Sequence, residues 1–364
     1  MIREHLSRNG LNIRGLNIRG LNIRHLNRRV GVIAASVVGL VMATSLAGCG
    51  ATHTLLGIHE APQAKPTSAP LTVEQAKKIL TRNFTAAYVG ETTADAAASG
   101  AALRTAYTDE GLRAVGGRMK LASVQGAVAA SPLQVQHPKL LALSRGFGFP
   151  RFILAQTVAS QGPPTLHLLV SPDVATPYRI TTSIEMVPPA TIKPFDPPSK
   201  GSPVVTNGAT GGKGLAVAPA ALLDQYAADL VFPAKPIPKP PFAADSFSGQ
   251  VKAGAAVAAK AVSAQALFAQ VHKVVPGSVH AVRQASGDAL VFGVIERKDY
   301  FGVRAGQSVN TAGNKAFVLL TGKKLVTNGA TINTLEFVVF AVPRSTGQAT
   351  LVGAREQIVD GSGS

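Results

Sequence analysis

The sequence has few cysteine and aromatic residues, which crosslink folds, fill cores and occur in many functional sites. It has one cysteine, no tryptophan and 5% aromatic residues in 364 positions. A single cysteine excludes an internal disulfide, so a hydrophobic core must hold any exported domain together. Acidic residues are also scarce, 19 against 36 lysines and arginines, for a formal net charge of +17. This excess would attract anionic lipid headgroups or cell-wall polymers. A solvated surface with excess lysine is the favoured interpretation, because no run of five or six basic residues appears.

Nucleic acid is not an expected partner, because the basic residues neither form long runs nor alternate with aromatic residues.

Familiar catalytic motifs are also missing. The glycine-rich stretch at 207–214 has Asn207 where a phosphate-binding loop needs its first glycine, and Gly214 where it needs serine or threonine. There is no Gly-x-Ser-x-Gly elbow. The chain is therefore predicted not to be an enzyme, with no catalytic residues, no cofactor and no metal site.

The histidines are expected to be ordinary surface or half-buried residues, since none has a carboxylate or cysteine at metal-ligand spacing. His167 is the polar position of most interest, because it interrupts an apolar strand pattern. We expect it on the solvated face of that strand, although it would line a cavity if the sheet were cone-shaped. Arg151 and Glu185 are weaker candidates for a site, and they could equally form a structural ion pair.

The single cysteine ends an apolar segment. Residues 30–48 hold no charge, Arg28 and Arg29 precede them, and Leu46-Ala47-Gly48 lead into Cys49. Basic, then apolar, then small is the order of a secretory signal. The segment resembles a bacterial lipoprotein signal peptide with its lipobox. That resemblance implies cleavage after Gly48, an acyl anchor such as palmitate on Cys49, and a location on the extracytoplasmic face of the cell membrane. An uncleaved transmembrane anchor and an ordinary buried thiol are the alternatives, and the export route, Sec or Tat, stays open.

Composition predicts five segments. Residues 1–48 are the signal peptide, whose basic leader repeats five residues from Leu11 onward, and 49–70 are the lipidated cysteine and a flexible tether rich in proline and alanine. Residues 71–190 and 215–360 are two α+β domains. Residues 191–214, rich in proline and glycine, are the linker between them.

Both predicted domains begin with helices and continue with strands. Thr72 and Gln75 form a capping box before a helix with an apolar face. The predicted helices cover 73–84, 93–107, a segment from 219 and 250–274; the predicted strands cover 149–159, 165–171, 178–187, 278–283, 289–297, 316–320, 334–342 and 350–359. Asn328-Gly329 is predicted to be a hairpin turn. Helices followed by antiparallel strands indicate an α+β fold.

The two domains also resemble each other. Residues 166–172 parallel 337–343, and residues 152–154 parallel 290–292. The arrangement resembles the nuclear-transport-factor-2-like (NTF2-like) or cystatin-like fold, in which helices pack on one face of a curved antiparallel sheet. The residues after the signal are also similar to a family of uncharacterised actinobacterial lipoproteins, through short stretches at 71–76, 149–152, 218–222 and 289–292. That family implies no catalytic residues.

Together these observations predict an exported, lipid-anchored cell-envelope protein that binds or scaffolds. Its expected partners are membrane lipid through Cys49, anionic headgroups or wall polymers, and a protein or small-molecule ligand. The alternative is an NTF2-like cavity enzyme, a hydrolase or isomerase, at the cell surface. Such an enzyme would need a histidine and a carboxylate facing each other in a cavity.

Overall fold

The computed structural model describes residues 67–125, 138–158, 162–205 and 212–364. The predicted signal segment, the cleavage residues Leu46, Ala47 and Gly48 and the lipidation site Cys49 lie outside the described residues. The described residues have a mixed α+β fold with antiparallel sheets, as expected. None of their helices is both long and apolar enough to cross a membrane.

The first part of the chain forms three helices and then four strands. They are α1 (Val73–Thr92), α2 (Ala96–Ala106), α3 (Asp109–Gln125), β1 (Lys139–Leu143), β2 (Arg151–Thr157), β3 (Thr165–Ser171) and β4 (Arg179–Glu185). The predicted capping box is confirmed: the Gln75 amide donates to Thr72 Oγ1 at 3.2 Å, and the Thr72 amide donates to Gln75 Oε1 at 2.8 Å. The four strands pair antiparallel in the order β1-β2-β3-β4.

The second part adds a larger sheet. Its elements are β5 (Val204–Val205), α4 (Pro219–Asp229), α5 (Ser246–Val262), β6 (Ala266–Val274), β7 (His280–Arg283), β8 (Ala289–Val303), β9 (Val309–Asn310), α6 (Lys315–Thr321), β10 (Leu325–Val326), β11 (Gly329–Val342) and β12 (Thr350–Gly363). The six-stranded sheet has the order β12-β11-β8-β7-β5, and β6 pairs with the far end of β8. β9 and β10 form a separate two-stranded ribbon.

The two larger sheets pack face to face. Alternate residues of β2 and β3, such as Leu154 and Leu168, share one buried cluster with alternate residues of β8 and β11, such as Phe292 and Phe337. The other face of the first sheet packs on α1 and α2, and the other face of the second sheet packs on α4 and α5. The layers therefore run helix, sheet, sheet, helix. The predicted domains, 71–190 and 215–360, both fall within one compact unit and share the core between their sheets.

Helix α3 joins the two sheets at their edges. A Cβ on Gly111 would lie 2.6 Å from the Ile180 carbonyl oxygen of β4, and a Cβ on Gly117 would lie 2.7 Å from Val359 Cα of β12. Only glycine lets a helix approach two strands this closely. The first turn of α3 is thereby held against the beginning of β4.

The described part of the predicted linker is packed rather than extended into solvent. Lys193 Nζ lies 2.6 Å from Asp288 Oδ2, and Asp196 Oδ2 lies 2.7 Å from Arg145 Nη2. Residues 204–205 then pair with β7. These contacts tie residues 191–205 to both sheets.

Three secondary-structure predictions were wrong. The predicted helix over 250–274 ends at Val262, and residues 266–274 form strand β6. The predicted strand over 316–320 is helix α6, in which Asn314 caps the amino end and Gly322, with φ of 71°, ends the helix. Asn328-Gly329 does not close a hairpin between neighbouring strands, because β10 pairs with β9 and β11 pairs with β8 and β12.

Candidate functional site

A cleft of about 270 Å3 opens where the first turn of α3 meets β4 and the turn between β6 and β7. Its polar lining comes from two carboxyl groups, three hydroxyl groups and one imidazole; its residues are Asp109, Glu110, Thr181, Thr182, Pro276, Gly277, Ser278, His280 and Val294. Both predicted domains contribute residues to it. This cleft is the candidate binding site of the described residues.

Backbone geometry places the two carboxyl groups. Thr108 N donates to the Ile180 carbonyl at 3.2 Å, so the chain enters α3 directly beside β4. Asp109 then has φ of 51°, a left-handed conformation that aspartate tolerates better than most residues. Close packing of Gly111 on the backbone of β4 completes the turn. Asp109 and Glu110 are thus held at the cleft by fixed backbone.

The opposite wall is a turn pinned to β8. Ser278 Oγ accepts the Val294 amide at 3.1 Å and lies 2.8 Å from the Val275 carbonyl oxygen, to which it donates. His280 follows as the first residue of β7 and pairs with Phe292. The serine hydroxyl therefore fixes the turn, and the imidazole is presented from a regular strand.

Burial shifts the titration of two lining residues. Desolvation lowers the pKa of His280 to about 4, and the nearby Asp109 opposes this only in part. The imidazole is therefore neutral at pH 7. Desolvation is also the main cause that raises the pKa of Glu110, with a smaller contribution from the charge of Asp109. A cation bound beside Glu110 would favour its ionised form.

One hydroxyl in the lining has no partner. Thr182 is 2% exposed, and its Oγ1 has no hydrogen-bond partner among the described residues, whereas the neighbouring Thr181 Oγ1 donates to the Leu168 carbonyl at 3.1 Å. A buried polar group without a partner costs about 1–3 kcal/mol. Among the residues that line the cleft, Thr182 is the one whose side chain carries this cost within the described part of the chain.

The cleft suits a ligand that donates hydrogen bonds or carries a positive charge. Its lining includes two carboxyl groups and a neutral imidazole but no lysine or arginine. The described residues contain no group of three or more His, Cys, Asp or Glu side chains placed to hold a metal ion. A small organic cation therefore fits this lining better than an anion does.

A second polar cluster is buried between the second sheet and its helices. Glu336 and His272 have fully buried side chains, and His272 Nδ1 lies 2.9 Å from Glu336 Oε2. His272 Nε2 lies 3.1 Å from Gln270 Oε1, and Gln270 Nε2 donates to Asp299 Oδ1 at 2.7 Å. The cluster thus runs from β11 across β6 to β8.

Arg297 completes this cluster at its rim. Its Nη1 lies 3.1 Å from Glu336 Oε1 and 2.7 Å from Glu356 Oε2, and its side chain is 12% exposed. Burial acts to lower the pKa of Arg297, but the carboxylates of Glu336, Asp299 and Glu356 outweigh it, and the pKa lies above its usual value. Arg297 therefore stays charged and ties three strands together.

The His272–Glu336 pair does not have the exposure that a catalytic pair needs. Both side chains are fully enclosed, and both ring nitrogens of His272 already have partners. A substrate cannot contact either group in this arrangement. The pair therefore crosslinks β6 and β11, and the sequence did not predict it because the two residues are 64 positions apart.

His167 does not lie on a solvated face, so that prediction was wrong. It is fully buried under α1, with Nε2 2.8 Å from Thr157 Oγ1, Nδ1 2.9 Å from Ser183 Oγ, and the ring edge-on to Phe84 at 4.9 Å. Desolvation, together with a smaller effect of the nearby Arg355 charge, lowers its pKa to about 3. His167 is a neutral structural residue that links three strands.

Arg151 and Glu185 do not form the ion pair that was considered. Arg151 is opposite Ser171 at one end of β3, and Glu185 is opposite Thr165 at the other end. Arg151 instead donates to the Phe147 carbonyl at 2.6 Å and lies 4.2 Å over the Phe149 ring. Neither residue lines the cleft.

The prediction that the histidines are surface or half-buried residues is confirmed at one of the three described positions. His280 is partly exposed, whereas His167 and His272 are buried. The three remaining histidines past the predicted signal, at 53, 59 and 137, lie outside the described residues.

Comparisons with protein-family models, with curated proteins and with solved structures found no match to this chain.

Proposed function

We propose that this chain is an exported, lipid-anchored cell-envelope protein that binds a small ligand in the cleft between its two sheets. The lipobox around Cys49 supports the anchor and the extracytoplasmic location. The cleft supports binding: its lining contains Thr182 and two carboxyl groups held by fixed backbone, and it contains no lysine or arginine. The charge of Arg113 also acts on Glu110, but Arg113 is paired with Glu296. We assign a small protonated amine as the ligand class.

The anchor is tested by replacing the lipidated residue. Cys49→Ala should move the protein from the membrane to the medium or leave an unprocessed precursor, because no other thiol can take the lipid. Metabolic labelling with a fatty acid should mark the unchanged chain and not the variant. Equal labelling of the unchanged chain and the Cys49→Ala variant would refute the lipoprotein proposal.

The cleft is tested by titration with a diamine. Putrescine should bind the purified chain, and 1,4-butanediol, its uncharged analogue of similar size, should not. Glu110→Gln should weaken putrescine binding about tenfold or more, because a charge-assisted hydrogen bond is lost. Glu74→Gln is the matched control on the exposed face of α1. Equal binding of the diamine and the diol would show that the cleft does not select a cation.

Thr182→Val separates a binding role from a folding role. Valine keeps the shape and removes the unpaired hydroxyl, so the free energy of unfolding should rise by about 1 kcal/mol. Putrescine binding should become weaker in the same variant. A variant that is less stable, with unchanged binding, would mean that the hydroxyl is satisfied within the fold.

Two tandem NTF2-like or cystatin-like halves remain our proposal for the architecture. It is supported by the order of elements, since α1–α3 precede the meander β1–β4, and α4–α5 precede β6–β8, β11 and β12. Likewise, kinship with the actinobacterial lipoprotein family remains a proposal that rests on the short sequence stretches. Superposing residues 71–190 on residues 215–360 in a crystal structure of the whole chain would test the repeat.

A cavity enzyme is the second candidate, and one observation favours it. The cleft holds Asp109, Glu110 and the neutral imidazole of His280 together, and acid–base chemistry uses such groups. A broad screen for hydrolase and isomerase turnover would decide between the two. Turnover that is lost in Glu110→Gln and kept in Glu74→Gln would favour the enzyme over the binding protein.

A further inference from the structure

Exposed apolar side chains cluster at one end of the first sheet. Phe147 is 66% exposed and Phe149 is 38% exposed in the loop between β1 and β2, and Val174 is 90% exposed in the loop between β3 and β4. Because Arg151 is opposite Ser171, both loops emerge at the same end. We call residues 144–151, 171–179 and 195–202 together the tether end. Large apolar residues at loop tips mark contact surfaces.

The described chain begins at this same end. Ser68 accepts the Gly146 amide through its carbonyl at 3.0 Å, and the Ala69 amide donates to the Ser199 carbonyl at 3.2 Å. Residues 50–66 separate this point from Cys49. A random coil of this length spans roughly 20–25 Å, whereas a compact unit of about 300 residues is roughly 50 Å across. A lipid on Cys49 would therefore keep the tether end nearer the bilayer than the opposite end.

The charge of the tether end suits an anionic membrane. Its basic residues are Arg145, Arg151, Arg179 and Lys200, and its acidic residues are Asp173 and Asp196. Asp196 is already paired with Arg145 and Lys200, and Asp173 accepts from Thr176 and the Ala175 amide in its own loop. The net positive charge remains available to anionic lipid headgroups.

From these observations we infer that the tether end rests on the lipid bilayer, with Phe147 and Phe149 inserted at the level of the headgroups. Aromatic rings favour this interface, where their apolar bodies leave water. Arg151 stacks on Phe149 and donates to the Phe147 carbonyl, so it holds the two-phenylalanine tip in place and presents a positive charge beside it. The inference rests on the proposed lipid anchor for the orientation of the protein, and on the loops alone for the contact.

The absence of tryptophan allows a direct test, because Phe147→Trp introduces a single tryptophan, which can be excited at a longer wavelength than the five tyrosines. The lipidated full chain would be reconstituted into vesicles of phosphatidylglycerol and phosphatidylcholine that carry brominated acyl chains. We expect a blue shift and bromine quenching at position 147. Val257→Trp, at a residue that is 57% exposed on α5, is the matched control and should show neither. Equal quenching at the two positions, or none at 147, would overturn the inference.

A second measurement separates this contact from the anchor. The Cys49→Ala chain carries no lipid, and Phe147→Ser with Phe149→Ser should lower its binding to the same vesicles about tenfold, since two exposed rings are lost. Val257→Ser should leave that binding unchanged. If fatty-acid labelling of Cys49 fails, the anchor is refuted and vesicle binding still decides the contact. If labelling succeeds and position 147 is not quenched, only the contact is refuted.

Discussion

Two neighbouring glycines in α3 offer a controlled test of how the helix joins the two sheets. Gly116 is exposed, and a Cβ there would meet nothing within 4 Å. Gly117 is buried, and a Cβ there would lie 2.7 Å from Val359 Cα and would also clash with the Ile358 carbonyl oxygen. The two positions share a helix and differ in packing alone.

The expected energies follow from that difference. Alanine gains about 1 kcal/mol over glycine inside a helix, and both variants receive this gain. At position 117 the helix must also move away from β12, and overpacking of this kind costs about 1–3 kcal/mol. Gly116→Ala should therefore raise the free energy of unfolding by up to about 1 kcal/mol, and Gly117→Ala should fall below it by about 1–3 kcal/mol.

Urea unfolding followed by far-ultraviolet circular dichroism measures both values, since the chain has no tryptophan to report on unfolding. An unchanged slope with a shifted midpoint would show that only stability changed. If the two variants were equally stabilised, α3 would not lie against β12 as described, and the first turn of α3 would lose its support at the cleft.

Three further outcomes are expected. Glu336→Gln should lower the free energy of unfolding by about 3 kcal/mol or more, because the charge of Arg297 stays buried. Glu356→Gln, at the exposed partner of the same arginine, should lower it by less than about 1 kcal/mol. Equal losses for the two variants in urea unfolding would contradict this. His167→Ala should cost about 2–4 kcal/mol through a cavity and two hydroxyls left unpaired, and an unchanged melting temperature would refute its burial. Hydrogen bonds, above all from Lys193, lower the pKa of Asp288, so its stabilising effect is present above its ordinary pKa and is lost as pH falls through the lowered value. The stability lost in Asp288→Asn should therefore be largest near neutral pH and should shrink as the pH falls below the ordinary pKa of aspartate.

Regular apolar patterns made much of the fold predictable. Strand β3 begins and ends at the predicted residues, and α1 begins at the predicted cap, because each has a clear period and clear end signals. Helix α6 was missed although Asn314 and Gly322 are typical cap residues, because the β-branched and aromatic residues between them favoured a strand. Its caps decided the conformation.

Strand β6 was missed for a different reason. Its buried positions include Gln270 and His272, so its inward face is polar and gives no alternation of apolar and polar residues. The polar partners that justify this burial, Glu336 and Arg297, come from distant strands. The same limit applies to the cleft, which needs Glu110 and His280 from separate parts of the chain. Long-range pairing of polar groups leaves no local pattern.

The core shared by the two sheets sets an order in time. The first sheet is complete at Glu185, but the strands that cover its inner face, β8 and β11, begin only at Ala289 and Gly329. During synthesis the apolar face around Leu154 and Leu168 therefore waits uncovered for more than a hundred residues of further chain. Exposed sheet surface in such an intermediate promotes aggregation. The nascent protein thus depends on whatever shields that face until its own second part arrives.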